Sequence, residues 1–387
     1  TQLPVMTTTQ RIAMTGLSVG EMIFNSTTDK VEYWDGTKWY GITYEAIPGE
    51  SPYSAVLYTG NGTSNSSQQS ITGVGFQPDF VWIKNRGEAR NHVLVDSLRK
   101  TGSLLDELHS NNTDAANTTG TDNVKTLDSD GFTVLGQGSE TNDNGDIFVA
   151  WCWKAGGTAV SNTDGTVTSQ VSANVDGGFS IVTWTGNGQG AARIGHGIDT
   201  PDMVITKSTS LVNDWGVAHV GMPNKIAYLQ SSNAAFSGGG SNGLAGYQSA
   251  MTSTTFGFTP GSNGQGVNNV NSNGQGYVAY CFHSVPGFSK FGAYSGNGST
   301  NGPTVTLGFQ PTFLMCKETS NSGNWRIMDS TRQPSNPKST GLWANLTNQA
   351  SNSSSNIVNF NSDNFQVVGG GSDVNTNGQT YIYMAFA

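Results

Sequence analysis

Charge is scarce in this chain of 387 residues, where Asp, Glu, Lys and Arg together make up 12%. Positive charge is the scarcer sign, with 18 Lys and Arg against 27 Asp and Glu and a net charge of -9. Nucleic acid and anionic membranes are bound through clustered Lys and Arg that displace counterions, and no segment supplies such a cluster. Neither nucleic-acid binding nor membrane insertion is therefore expected. Long apolar runs are missing too. Nothing approaches the roughly 18 consecutive apolar residues of a membrane helix, and the N-terminus lacks the basic start and apolar centre of a signal peptide. Because the first residue is Thr, trimming or cleavage upstream is expected. Cysteine is limited to Cys152, Cys281 and Cys316, which cannot all pair and show no Cys-x-x-Cys spacing. Disulfides are not expected, and a thiol inside an aromatic strand reads as a small buried hydrophobe.

Gly (51 residues), Ser, Thr and Asn fill the polar positions, and 9 Trp, 12 Tyr and 17 Phe lie within short apolar runs. That aromatic content can bury enough surface to exclude disorder. One phrase occurs three times: Tyr58-Thr59-Gly60-Asn61-Gly62, Trp184-Thr185-Gly186-Asn187-Gly188 and Tyr294-Ser295-Gly296-Asn297-Gly298. Behind each copy comes a strand opened by Pro78, Pro201 or Pro311 and ending in Lys84, Lys207 or Lys317. An Asn-x-Asn-Gly turn follows (142–145, 271–274, 375–378), then a closing strand (147–153, 277–282, 381–386). Asn-Gly tolerates positive φ and suits a tight hairpin. The closing strands are apolar on both faces, as central strands covered on both sides are.

These patterns predict an all-β protein: three tandem antiparallel β-sandwich domains, jelly-roll or lectin-like, after a short N-terminal β-meander. The expected divisions are an assembly or attachment module at 1–43, repeat one at 53–157, a linker or extra hairpin at 158–177, repeat two at 178–286 and repeat three at 287–387. Residues 284–291 imply a packed junction between repeats two and three. A single helical turn is expected, around Ser103 to His109. The meander, with apolar residues at 22–24 and an Asp35-Gly36 turn, buries too little to stand alone and is expected to need partner chains.

The first 40 residues, with Thr7-Thr8-Thr9-Gln10-Arg11 and Tyr33-Trp34-Asp35-Gly36-Thr37-Lys38-Trp39, resemble a small segment of bacteriophage tail-fibre and other virion proteins. Residues 53–387 resemble the tandem domains of marine bacteriophage virion proteins through 148–157, 277–292, 294–303 and the terminal Thr380 to Ala387. The resemblance implies a particle component on the tail or head surface, trimeric association, contact with other virion proteins and attachment to a host receptor. It brings no catalytic residue and no cofactor. Repeat two departs from its neighbours: repeats one and three carry Asp96-Ser97-Leu98-Arg99 and Asp329-Ser330-Thr331-Arg332, and repeat two has Ala218-His219-Val220-Gly221.

Candidate ligand-binding residues are Trp215, Trp325 and Trp343, which lie in Asn/Ser/Gly-rich surroundings where an indole stacks on a sugar ring, and Asp329 with Arg332. Each has an ordinary structural alternative: inter-domain packing for the tryptophans and a loop-fixing ion pair for Asp329 and Arg332, as for Asp96 and Arg99. Carboxylate pairs suited to hydrolysis, Asp128 with Asp130 and Asp143 with Asp146, sit in turns where Asp is expected for its own hydrogen bonds. Loop Asp and Asn groups at 140–146 could take calcium, without the spacing of an EF-hand, and no metal is expected. The function expected is non-enzymatic: a virion tail fibre, homotrimeric, that binds a host-surface glycan. The rivals are a capsid decoration or head-fibre protein and a tail-associated polysaccharide depolymerase.

Overall fold

The computed structural model describes residues 3–27, 30–41, 51–62, 68–119, 124–136, 138–237, 251–258 and 270–387. The chain divides into two compact units, Thr1–Gly49 and Glu50–Ala387.

In the first unit, Met22–Asn25, Lys30–Trp34 and Trp39–Gly41 form the expected antiparallel meander, and Val5–Met6 adds a parallel edge. Asp35 closes the last turn by accepting the backbone N–H groups of Thr37 and Lys38, which holds its carboxyl below the usual range. The helix of the unit is Thr8–Ile12, started by a capping box in which Thr7 and Gln10 bond reciprocally. The Ser103 to His109 turn is not helical: Leu104–Leu105 is a short strand, and Glu107 and Leu108 bridge to Asn117 and Leu94. Leu104 and Leu105 pair with Thr101 and Lys100 in a tight antiparallel ladder, and this satisfies the backbone without a helix.

The second unit is all-β. Each repeat contributes a larger antiparallel sheet with its closing strand in the interior. In repeat one the order is Tyr53–Thr59, Ile147–Trp153, Phe80–Asn85, His92–Asp96. Repeat three follows the same order with Ser289–Ser295, Thr380–Phe386, Phe313–Glu318 and Trp325–Asp329, then two further strands. In repeat two the sheet grows to eight strands, because Val160–Asn162 and Ser169–Asn174 form a hairpin on its edge. Within residues 158–177 the chain thus forms a strand pair and not an unpaired stretch. A smaller sheet covers the outer face of each large one.

The period-two alternation of the closing strands sends side chains into two different cores. Phe148, Ala150 and Cys152 pack between the two sheets of repeat one, with Ile71, Phe132 and Val134 opposite. Val149, Trp151 and Trp153 point the other way, into a core that all three repeats share with Phe179, Tyr280, Phe282, Phe313, Met384 and Phe386. The junction residues Phe288 and Phe291 belong to it as well. All three cysteines are free and buried.

The Asn-x-Asn-Gly turns do not make tight hairpins. They carry the chain from the smaller to the larger sheet and latch onto the Gly-Asn-Gly phrase. Gly62, Gly188 and Gly298 donate to the carbonyls of Asn142, Asn271 and Asn375, and Gly145, Gly274 and Gly378 donate back to those of Gly60, Gly186 and Gly296. The returning glycines have φ of 85°, 74° and 74°. The side chains of Asn142, Asn271 and Asn375 are wholly buried in the latch. There each receives the backbone N–H of Asn61, Asn187 or Asn297.

A candidate saccharide groove between repeats one and two

The three strand-ending lysines explain how the repeats close on one another. Lys207 donates to the carbonyl of Thr113 in repeat one (3.2 Å) and Lys317 to that of Asn233 in repeat two (3.0 Å). Lys84 completes the ring by donating to Thr347 in repeat three (3.1 Å). Burial pushes all three ammonium groups down to about 8. Across the sheet from Lys84 and Lys317 stand His92 and Trp325, and Trp215 lies next to the Thr206–Gly216 pair that ends the corresponding ladder of repeat two. These donate in the same cyclic sense to the carbonyls of Trp343, His109 and Tyr228.

Trp215 and Trp325 are thus locking residues of the repeat interfaces, 0% and 1% exposed, with no face open to a sugar ring. Trp343 is half-buried. Its indole N–H donates to Asp373 (2.8 Å), and the Arg326 guanidinium lies 5.4 Å from its ring centre. Asp329 and Arg332 form a buried ion pair whose free carboxylate capacity is used by Trp151 of repeat one (3.1 Å). Asp96 and Arg99 are paired in the same way, and Tyr280 of repeat two donates to Asp96 (2.8 Å). The turn aspartates are occupied locally: Asp130 caps Gly73 and Gly75, Asp128 accepts from Thr133, and Asp146 accepts from Asn85.

Arg99 differs from Arg332 in what lies beside it. It lines a groove of about 570 Å³ between residues 98–106 of repeat one and the edge of repeat two at 167–185, 209 and 276–277. That volume lies in the range of about 300–1,000 Å³ typical of small-molecule sites. Arg99 binds Asp96 through Nε and Tyr280 through Nη2. Its Nη1 is buried without a partner among the described residues, and so are Nε1 of Trp184 and Oδ1 of Asp106, two more residues lining the groove. A buried polar atom left unpaired costs about 1–3 kcal/mol, so each of the three calls for a further hydrogen-bond partner. Two donors and one acceptor, beside the exposed ammonium of Lys100 and the side chains of Thr168, Thr183 and Gln170, suit a polyhydroxylated ligand with some negative charge.

Sequence reasoning singled out Arg99 for its pair and Trp184 only as a marker of the repeat. The signal for Trp184 was visible in the aligned phrases. Tyr58 and Tyr294 donate their hydroxyls to the carbonyls of Thr141 and Val374, and the indole at the same place in repeat two makes no such bond. Asp106 carried no signal, because nothing local tells that it faces a neighbouring repeat.

The first unit offers a different surface. Among its described apolar side chains only Ile23 and Val31 are buried, and Val5, Ile12 and Val19 are 61%, 72% and 76% exposed. So many open apolar groups on so small a sheet fit association with further chains.

Residues 49–387 match the family described as a domain of unknown function (DUF7483), and residues 2–65 match the phage tail like trimerisation region. The chain belongs to the first of these families. The second match supports a phage tail-related structural protein that associates with itself as a trimer. No curated protein and no solved structure matches the chain.

Proposed function

We propose that this chain is a tail-fibre subunit that trimerises through its N-terminal unit and binds a host-surface saccharide in the groove between repeats one and two. The observation that carries the reading is one groove lined by Arg99, Trp184 and Asp106, each of which holds a buried polar atom without a partner among the described residues. A lining with one carboxylate supports binding without turnover. Glycoside hydrolysis ordinarily uses two carboxylates flanking the bond, and Asp106 is the sole carboxylate among the described residues lining the groove. Three copies of one weak site would raise avidity about 10²- to 10⁴-fold where the spacing of receptors permits.

Direct binding of the full-length trimer to a panel of neutral and acidic bacterial surface saccharides tests the reading. Asp106→Ala and Lys100→Ala, which leave the buried Asp96–Arg99 pair intact, should each weaken the single-site affinity about tenfold, the value of one charge-assisted hydrogen bond. Absence of binding across the panel, or binding untouched by both substitutions, would sink the proposal. Release of reducing sugar would replace binding with cleavage.

A further inference from the structure

Outside the groove, one cluster of side chains has no use in the reading above. Glu107, His109 and Glu140 present one ligating atom each within 4.8 Å of one another, and among the described residues no other group of three does so. His109 Nε2 lies 2.5 Å from Glu107 Oε1 and 3.2 Å from Glu140 Oε2.

The three residues are held from behind. Glu107 pairs with Asn117 through both its backbone groups, and Leu108 pairs with Leu94, so the backbone carrying Glu107 and His109 is fixed on both sides. Glu140 Oε1 accepts from Asn91 (2.6 Å), Asn91 accepts from Asn111 (2.7 Å), and Asn111 accepts the backbone N–H of His92. Outer groups that orient a carboxylate and an imidazole in this way are what ordered metal sites require. The cluster is also short of positive charge. Burial opposes a charge on His109, but the hydrogen bonds it donates to Glu107 and Glu140 outweigh it and raise the imidazole to about 10. Burial pushes the Glu107 carboxyl up in the same cluster. A buried carboxylate beside a half-buried one calls for a cation between them, and a proton on His109 is the smallest that serves.

We propose that Glu107, His109 and Glu140 form a binding site for one divalent transition-metal ion of the zinc type. A zinc ion with bonds of about 2.0–2.2 Å holds tetrahedral ligand atoms about 3.4 Å apart. The His109–Glu140 separation of 3.2 Å is near that value, and Glu107 must retreat by about 1 Å. One imidazole and two carboxylates leave a fourth position for water, reached from the side of Glu140, which is 26% exposed. The charged ring carries a proton on each nitrogen; on binding, Nε2 loses its proton to solvent and takes the metal, and Nδ1 keeps its own. Asn112 Nδ2 stands 3.1 Å from Nδ1, so a half-turn of that amide presents its oxygen to this N–H, in the charged ring as in the metal-bound one. The backbone N–H of the exposed Asp114, which the amide oxygen now accepts, then turns to water.

The neighbouring repeats make the assignment specific. The carbonyls of His109, Tyr228 and Trp343 receive the equivalent cyclic hydrogen bonds, so these three residues occupy one position. Trp343 meets the single carboxylate of Asp373, which stands where repeat one has Glu140, and an indole cannot ligate. Only repeat one combines an imidazole with two carboxylates there. The ion would fasten the 107–117 loop, which already receives Trp215 at His109 and Lys207 at Thr113.

Titration calorimetry of the full chain with zinc chloride near neutral pH, in two buffers of different ionisation enthalpy, tests the site. One ion should bind per chain with release of at least one proton. His109→Gln and Glu140→Gln should each lower the affinity by about tenfold or more. Cobalt(II) should give the visible absorption of a four- or five-coordinate ion in the wild type and not in the variants. Glu140 sits partly exposed at a turn, so Glu140→Gln carries the test if His109→Gln fails to fold. No saturable binding of zinc or cobalt would overturn the proposal and leave a hydrogen-bonded triad. Undiminished binding in Glu140→Gln would overturn it by placing the ion elsewhere.

Discussion

Repeats one and three keep a buried Asp and Arg at the start of the loop after their outer strand, and repeat two does not. The difference is compensated across the repeat interfaces. The position of Asp96 in repeat one meets Tyr280 of repeat two, and that of Asp329 in repeat three meets Trp151 of repeat one; both partners donate a hydrogen bond. In repeat two the position is His219, and the residue of repeat three that corresponds to Trp151 and Tyr280 by strand register is Met384, which has no donor. The Arg has gone as well, replaced by the buried Met222. His219 needs neither. Burial pushes its imidazole down to about 4, and the neutral ring accepts the Gly221 N–H (2.9 Å) and donates to the carbonyl of Tyr383 (3.0 Å). A charged solution and a neutral one thus satisfy the same place in the ring, and each is complete only with the matching residue of the adjacent repeat.

The largest effect should come from mixing the two solutions. His219→Asp would bury a carboxylate beside Met222 and Met384 with neither guanidinium nor hydroxyl to receive it. A loss of about 3–5 kcal/mol is expected, as when a buried pair loses one partner, and the urea midpoint measures it. Asp329→Ala, which strands Arg332, should fall in the same range. Adding Met222→Arg and Met384→Tyr to His219→Asp should return part of the loss. A His219→Asp variant within 1 kcal/mol of wild type would show that the interfaces are not matched in this way.

The latch, by contrast, is the same in all three repeats, and so should be the penalty for breaking it. A Cβ on Gly60, Gly186 or Gly296 would collide with the carbonyl oxygen of Asp143, Ser272 or Thr376, backbone atoms that cannot swing aside. Each Gly→Ala substitution should cost about 1–3 kcal/mol in chemical denaturation. A repeat whose glycine tolerated alanine would not share the latch.

This latch shows what could and could not be read from the chain. Both of its halves stood out as repeated phrases, because Gly and Asn are demanded by local backbone geometry and leave a local mark. Their meeting did not, since Gly60 and Asn142 lie far apart in the chain and only the packed sheets bring them together. The same division runs through the fold. Strand positions, the buried cysteines and the apolar closing strands follow from period-two patterns. The second core that these strands serve requires knowing that three sheets face a common centre. Trp215 and Trp325 are not exposed platforms for one reason: polar neighbours in sequence do not imply polar neighbours in space. Trp215 lies among Asn213, Asp214 and Gly216 and is wholly buried.

A smaller effect distinguishes what the repeats share electrostatically. Lys207 and Lys317 titrate near 8 in the folded chain and near 10.5 unfolded. Between those values the unfolded chain holds more protons, so stability should rise as pH increases from 8 toward 9.5, by at most about 2 kcal/mol per lysine. Denaturation midpoints across that window should climb in the wild type. The climb should flatten in Lys207→Met and in Lys317→Met, although both variants start lower because each strands carbonyls of the neighbouring repeat. A flat wild-type profile would mean that the three carbonyl oxygens around each ammonium offset its burial.

Trp184→Tyr should change stability least and bears most directly on what sets repeat two apart. Tyr58 stacks on Phe148 at 5.0 Å, Trp184 on Tyr277 at 5.3 Å and Tyr294 on Tyr381 at 5.1 Å, so a phenol ring already fits this place twice. By analogy with Thr141 and Val374, the carbonyl of Val270 is the acceptor that the new hydroxyl would find. The lost ring area and the gained hydrogen bond are opposed terms of about 1 kcal/mol each, so the melting curve should move by less than that. The groove, however, loses the indole N–H that has no partner among the described residues, and saccharide affinity should fall several-fold. If the variant unfolds early, the indole is there for packing. If it is as stable as wild type and binds as well, Nε1 is not a contact and the groove must rely on Arg99 and Asp106. Only a stable variant with weakened binding fits a tryptophan kept in repeat two for a ligand, where the other repeats keep tyrosine for the fold.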